Sequence, residues 1–323
     1  MSGASDKRMV FKAHDGRSPN LTERFASRPS RGFTLVEVVV SIVITGIVVG
    51  FVAMFMTVPV DAYIDQSERA VLNDSSQTVS RWLGSDLRAA LPNSVRISNV
   101  GNRAIVEMLR VESMSFYRPN GTLAGALNRE LDFSGAPDMQ FSTFGRVDGT
   151  ATVFPYGVVG FFVIGHRGTG VPSYDAYQLN NVITPTNNFQ ITLLPGGEES
   201  VTLPSPGFSF TAPGDSRNRI FWVSGPVTYI CNSAARTLRR FSGYPVTASI
   251  ANTENDAQLI GAGVIDTLLA TNVASCRLRC SSGLAIDSLC QDTLVVEISV
   301  DRVTPPVNEV IRLFEHFPID NSI

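Results

Sequence analysis

Two sets of residues in this chain could do chemistry. The first is a lone carboxylate. Between Phe33 and Val60 the only charged side chain is Glu37, four residues inside an apolar run that opens directly after Arg31-Gly32. A carboxylate within an apolar membrane segment costs a few kcal/mol unless a cation compensates it. The run supplies no cation, so Glu37 is expected to find its partner elsewhere. The second set is sulfur. Cys231, Cys276, Cys280 and Cys290 all lie in the C-terminal third. Four thiols outside a reducing compartment read as two disulfides, with three possible pairings. The Cys276-x3-Cys280 spacing is not that of a zinc knuckle, and no His lies near it.

Little else points to catalysis. His166 sits in Gly165-His166-Arg167-Gly168, which reads as a turn, and His316 lies beside Glu315 in an expected terminal strand. No nucleophile elbow, phosphate loop, metalloprotease helix or dinucleotide-binding glycine pattern is present. Asp132, Asp138 and Asp148 are scattered through a loop-rich stretch and do not form a calcium loop. Tyr156, Tyr174 and Tyr177 lie near Gly/Pro loops and read as loop packing before they read as a sugar-stacking surface. No Lys follows Lys12, so lysine chemistry is excluded beyond it. The expectation is a non-enzyme with no cofactor, no metal and no catalytic residue.

The elements that must position these groups follow from charge and period. Residues 1–32 hold Lys7, Arg8, Lys12, Arg17, Arg24, Arg28 and Arg31 against Asp6, Asp15 and Glu23. Basic flanks stay cytoplasmic, so the remainder is expected on the far side of the membrane. Residues 38–60 are uncharged and would span about 34 Å as a helix, enough for a bilayer core. A secretory signal peptide would have a shorter apolar region ending in a small-residue cleavage site. Gly46 and Gly50, four apart, offer a small-residue face for helix packing, and Pro59 should kink or loosen the helix locally. The helix is expected to continue, because Val79, Trp82, Leu83, Leu87, Ala90 and Leu91 recur at helical spacing until Pro92-Asn93.

Beyond Pro92 the texture becomes short β-like runs broken by Gly, Pro and Asn. Runs at 95–97, 104–111, 114–117, 158–164, 220–223, 227–231, 237–241 and 294–300 read as strands, with 158–164 buried and central. Residues 310–317 would pair with 294–300 through Pro305-Pro306. Residues 165–188 and 195–215 read as loops or a small subdomain. Of the chain's 26 Lys+Arg and 29 Asp+Glu, the first 32 residues hold seven and three. The other 291 residues therefore carry 19 cations and 26 anions, near −7, which argues against nucleic acid or anionic lipid as the head's partner.

The junction Arg31-Gly32-Phe33-Thr34-Leu35-Val36-Glu37 resembles the processing site of type IV prepilins and type II secretion pseudopilins. The resemblance implies cleavage between Gly32 and Phe33 by a prepilin peptidase and N-methylation of Phe33. It implies that Glu37 pairs with the terminal amine of a neighbouring subunit during assembly. It also implies an α+β fold: a long N-terminal membrane-spanning helix packed on a mostly antiparallel β-sheet head. The domains would be a removed cytoplasmic leader at 1–32, the transmembrane half of the helix at 33–60, its periplasmic half at 61–92, and a disulfide-bearing β-rich head at 93–323.

Further blocks resemble one branch of that family, the minor pilin-like proteins of mannose-sensitive haemagglutinin (MSHA) pilus biogenesis, of MshO type. They are residues 61–65, 86–96, 225–231, 237–244 and 312–321. Cys280 and Cys290 look like an addition to that pattern. This implies Cys280–Cys290, closing a short loop, and Cys231–Cys276, joining two strands.

Two function classes compete on this reading. One is a minor subunit that initiates or caps a type IV pilus. The other is a filament-tip adhesin or binding module, and a type II secretion minor pseudopilin remains beside both. Implied partners are prepilin peptidase, other minor and major pilin subunits, the pilus assembly platform and inner-membrane lipid, with no nucleic acid. The implied location is single-pass in the inner membrane with a periplasmic head, then in a pilus or pseudopilus, at its tip in one version.

Overall fold

The computed structural model describes residues 32–121, 129–148, 153, 155–213, 217–261, 263–281, 289–301 and 310–319. The expected leader and the Pro305-Pro306 turn lie outside them, except for Gly32. The chain divides into two units, Met1–Ala62 and Tyr63–Ile323. The stretch of helix that follows Ala62 belongs to the same unit as the head.

In the first unit, helix α1 (Leu35–Arg88) begins. Leu35–Met56 has mean hydropathy 2.8, and its side chains are exposed along the whole stretch. It is rich in Val and Ile, which favour strands in water. In hydrocarbon every backbone N–H and C=O must be satisfied within the segment, which imposes a helix. Twenty-two residues rise about 33 Å. The helix assignment is unbroken through Pro59.

The second unit holds the rest of α1 and twelve described strands. These are β1 (Arg96–Val100), β2 (Arg103–Tyr117), β3 (Gln140–Phe144), β4 (Tyr156–Val163), β5 (Asn187–Leu193), β6 (Glu199–Thr202), β7 (Arg219–Asn232), β8 (Thr237–Ser242), β9 (Ile265–Thr271), β10 (Val273–Cys280), β11 (Thr293–Asp301) and β12 (Val310–Pro318), with a one-turn helix α2 (Asp256–Leu259) between β8 and β9. The architecture is α+β with antiparallel sheets, as the sequence implies.

The nine-stranded sheet runs β1-β2-β3-β6-β5-β4-β7-β8-β9, and β2 also pairs with β7. That extra pairing makes β2-β3-β6-β5-β4-β7 a closed circuit of six strands. The two longest strands therefore each do two jobs. Residues 103–110 of β2 pair with 225–232 of β7, where β1 flanks one side and β8 the other. Beyond a register shift at Arg110/Val111, β2 and β7 enter the closed circuit. Gly225, at φ +139°, faces Arg110 at this changeover. A bulge there bends the strand and sharpens its twist. The sequence reads each strand as two runs. The intervening Ser224-Gly225-Pro226 is a bend within one strand, not a turn between two. The polar stretches 165–188 and 195–215 likewise contribute the start of β5 and all of β6.

Three further strands form a separate sheet, β10-β11-β12, and β12 pairs with β11 over all nine residues. The main core lies where α1 meets both sheets. Leu72, Val79, Leu83 and Leu87, on one helical face, pack with Val95, Ile97, Val106, Met108 and Tyr229 of the large sheet and Leu278, Leu294, Val296 and Ile298 of the small one. Trp82 departs from its expected place in this stripe. It is 45% exposed, with the Arg240 guanidinium over its ring. A second core fills the closed circuit with Tyr117, Phe141, Phe162, Phe189, Ile191 and Phe210 among others.

Candidate functional site

The junction residues sit at the start of α1. Gly32, Phe33 and Thr34 are not helical, and α1 begins at Leu35. Thr34 makes that boundary: its Oγ1 accepts the Glu37 N–H at 3.2 Å, and its carbonyl accepts the Val38 N–H at 3.2 Å. Thr is a favoured N-cap because its hydroxyl satisfies one of the orphan donors of the first turn. Thr34-x-x-Glu37 is the sequence pattern of a capping box. It puts Glu37 in the first turn, where the helix dipole favours an anion. The sequence signal was present, and reading Glu37 only as an intersubunit charge missed it. Phe33 is 74% exposed. A Cβ on Gly32 would meet nothing within 4 Å, and the same holds at Gly46 and Gly50. The Gly32–Phe33 peptide is thus open on non-helical backbone, and the two helix glycines leave open surface.

The cysteines lie in the head, Cys231, Cys280 and Cys290 buried and Cys276 partly so. Cys231 on β7 and Cys276 on β10 have Cα atoms 6.2 Å apart and paired sulfurs, and Cys280 and Cys290 are paired with Cα atoms 5.5 Å apart. Both separations suit disulfides. Cys231–Cys276 joins the large sheet to the small one. Cys290 donates its N–H to the Val95 carbonyl, and Leu289 bridges to Arg96. Cys280–Cys290 therefore ties the end of β10 to a segment lying along β1.

Other charged groups are buried in structural networks that the sequence did not announce. Asp86 on α1 accepts from Tyr229 Oη at 2.6 Å and Arg240 Nε at 2.7 Å. Burial, then the Asp86 carboxylate, pushes the Tyr229 hydroxyl far above its ordinary range. Glu107 on β2 is fully buried and receives Arg96 Nε at 3.0 Å, Thr253 Oγ1 at 2.9 Å and Tyr244 Oη at 3.2 Å. Burial raises its carboxyl, while Arg96 and these hydroxyls pull it down. The Arg96 guanidinium also lies 3.7 Å from the Tyr177 ring centroid.

His166 is buried rather than at an exposed turn. Its Nδ1 accepts the Ala176 N–H at 3.0 Å, and Nε2 faces the Asn93 carbonyl at 3.1 Å. Nδ1 also faces the Tyr174 carbonyl at 3.1 Å, so the ring is held by one N–H and two carbonyls. Burial holds the imidazole below its ordinary value, against the pull of Asp175. His316 is exposed on β12, edge-on to Phe314.

The three tyrosines do not share a surface. Tyr177 is buried and donates to the Ser94 carbonyl, Tyr156 donates to Glu199, and Tyr174 stacks under Arg167. Asp132 accepts the Ser134 N–H and hydroxyl, and Asp138 accepts the Asp132 N–H. Among the described residues no group of three or more His, Cys, Asp and Glu could hold a metal ion.

Residues 27–53 match the family model of the prokaryotic N-terminal methylation motif. No curated protein matches the chain significantly, and no solved structure does. The matched stretch contains the Gly32–Phe33 peptide, the Thr34 cap, Glu37 and most of the exposed apolar helix, and it identifies the N-terminal segment of this chain as a type IV prepilin-like methylation motif.

Proposed function

We propose that this protein is a minor pilin-like subunit that takes part in assembling a type IV pilus of the MSHA type, at initiation or at the tip. The observation that carries the reading is the methylation motif at 27–53 at the start of a helical stretch, Leu35–Met56, whose apolar side chains are exposed and whose lone charge is Glu37. Such a helix is anchored in a bilayer before assembly and needs a cationic partner afterwards. Prepilin peptidase cuts Gly32–Phe33 and methylates the new amine of Phe33. The subunit waits in the inner membrane with its head in the periplasm. On the assembly platform Glu37 pairs with the amine of a neighbouring subunit, and the chain enters the filament. In the oxidising periplasm both cysteine pairs close.

N-terminal sequencing tests this. The protein recovered from cells that contain the peptidase should begin at Phe33, and Gly32→Leu should retain the leader. A wild-type protein that keeps its leader there would remove the basis of the reading.

A second reading, a filament-tip binding module, draws on the outside of the closed circuit. Met114, Phe116 and Phe144 are exposed there, and Phe116 faces Phe144 across β2 and β3. Apolar patches of this kind mark interaction sites when they are large. Co-purification with other minor subunits favours the assembly role, and retention of the protein on a glycan or cell surface favours the second. Recovery with secretion components instead of pilins points to a pseudopilus.

A further inference from the structure

We infer that Thr34 is a positioning residue for leader cleavage: by capping α1 through the Glu37 amide, it holds the Gly32–Phe33 peptide outside the helix, where a peptidase can engage it as extended chain. The inference rests on the reading of Gly32–Phe33 as the bond that is cut. Two observations meet here. The first is the cap. Thr34 Oγ1 and the Thr34 carbonyl take the Glu37 and Val38 amides, so helical structure starts one residue after Thr34 and two after Phe33.

The second is Gly32. Among the described residues a Cβ there would meet nothing within 4 Å, and its backbone needs no positive φ. Neither packing nor conformation among the described residues calls for glycine at that position. The absent side chain therefore serves the approach of another molecule to that peptide.

The cap matters because of what the helix would do without it. Amides of the first turn cannot stay unpaired in or near hydrocarbon. A helix that loses its cap in this setting recruits an earlier one rather than fraying. The next hydroxyl upstream is Ser30. A helix capped there would carry Gly32 and Phe33 in its first turn and wind the scissile peptide into it. Thr34 thus does for the substrate what an active-site cleft does for many proteases: it selects the extended form in advance. Thr34-x-x-Glu37 places the cap and the assembly carboxylate in one turn, so a single motif sets both the cleavage point and the depth of Glu37 within the helix.

The test separates hydrogen bonding from shape. Full-length precursor carrying Thr34→Ser, Thr34→Asn, Thr34→Val or Thr34→Ala is incubated in membranes with prepilin peptidase, and initial cleavage rates are compared. Ser and Asn cap at least as well as Thr, whereas Val keeps the branched shape but has no acceptor. The Ser and Asn forms should be cleaved within about twofold of wild type, and the Val and Ala forms about fivefold more slowly. Equal rates for all four overturn the inference. So does a normal rate for Val with a slow one for Asn, which would mean that the peptidase reads the side chain's shape.

Hydrogen exchange at the Glu37 amide gives a readout independent of cleavage. It should quicken in the Val precursor and recover in the Asn precursor. Unchanged exchange in the Val form overturns the cap. Failure of every form to be cleaved, wild type included, overturns the processing reading itself, and the exchange result still judges the cap.

Discussion

On the proposed role Glu37 carries a penalty and a use at the same position, and removing it should separate them. A charge within the apolar span opposes insertion by a few kcal/mol, so Glu37→Ala should insert in the membrane as well as wild type or better. The same change should reduce pilus number and loosen co-purification with other subunits. Normal filaments in the variant would show that the carboxylate has no part in assembly. His166 supports a prediction of a different kind. Burial lowers its pKa in the folded head, so between the ordinary value near 6.5 and the lower folded value the unfolded chain takes up a proton that the native one does not. The stability due to neutral His166 is therefore complete above the ordinary value and is lost as pH falls below it. Glu107 acts in the opposite sense, since its carboxyl is raised. Its contribution is complete below the ordinary carboxylate value and is lost as pH rises through the folded one. The difference between variants is thus the useful quantity. Gln can accept from Ala176 and donate to Asn93, so His166→Gln should flatten part of the fall in Tm between pH 7 and pH 5. An identical fall in both proteins would exclude His166.

Helix α1 is the element most legible in the sequence. Its apolar run excludes charge over a bilayer's thickness, and Leu72, Val79, Leu83 and Leu87 keep a helical period into the head. The strands were legible as runs but not as a topology. β2 and β7 each read as two pieces, because Glu112-Ser113 and Gly225-Pro226 interrupt the apolar pattern where the strands bend. The pairing that closes the six-stranded circuit joins residues more than a hundred positions apart, and no local period encodes it. The junction from Gly32 to Glu37 was readable because its chemistry is contiguous. The clamp between α1 and the sheet was not, since Asp86 and Arg240 stand 154 residues apart. That clamp carries the prediction at this scale. Both side chains are almost fully buried, so Asp86→Ala would leave Arg240 as an uncompensated charge and Tyr229 without its acceptor. Such a loss costs about 3–5 kcal/mol. Urea unfolding of the detergent-solubilised protein should show it. Asp86→Leu with Arg240→Met should recover most of the loss, because removing both charges removes the desolvation cost as well. A single variant as stable as wild type would mean that the helix is held by its apolar stripe alone.

For the molecule as a whole, the proposed filament role requires the two sheets to stay together around α1 under load. Non-covalent links do part of this. Asn99 on β1 donates to the Leu278 carbonyl on β10, and Arg236 pairs with Asp301. Cys231–Cys276 links the same two sheets, and Cys280–Cys290 ties β10 to the segment beside β1. Cys231–Cys276 spans 45 positions and Cys280–Cys290 spans 10. Closing loops of those lengths removes denatured-state entropy worth about 4 and about 3 kcal/mol respectively. Opening the first pair should therefore cost more, and it also releases β7 from β10 inside the main core. Non-reducing peptide mapping of native protein should recover both pairs and no alkylatable thiol. Cys231→Ala with Cys276→Ala should lower the unfolding free energy by more than Cys280→Ala with Cys290→Ala does. The short bridge has a second consequence, because Cys290 and Leu289 lie along β1 next to Asn93 and Gly168. Releasing it should raise hydrogen exchange at the Cys290 amide, which is held by the Val95 carbonyl, before it affects β11 and β12, which keep their nine-residue ladder. A Cys276–Cys280 bridge in the peptide map would contradict the arrangement of both sheets. Four free thiols in the native protein would instead place the head in a reducing compartment.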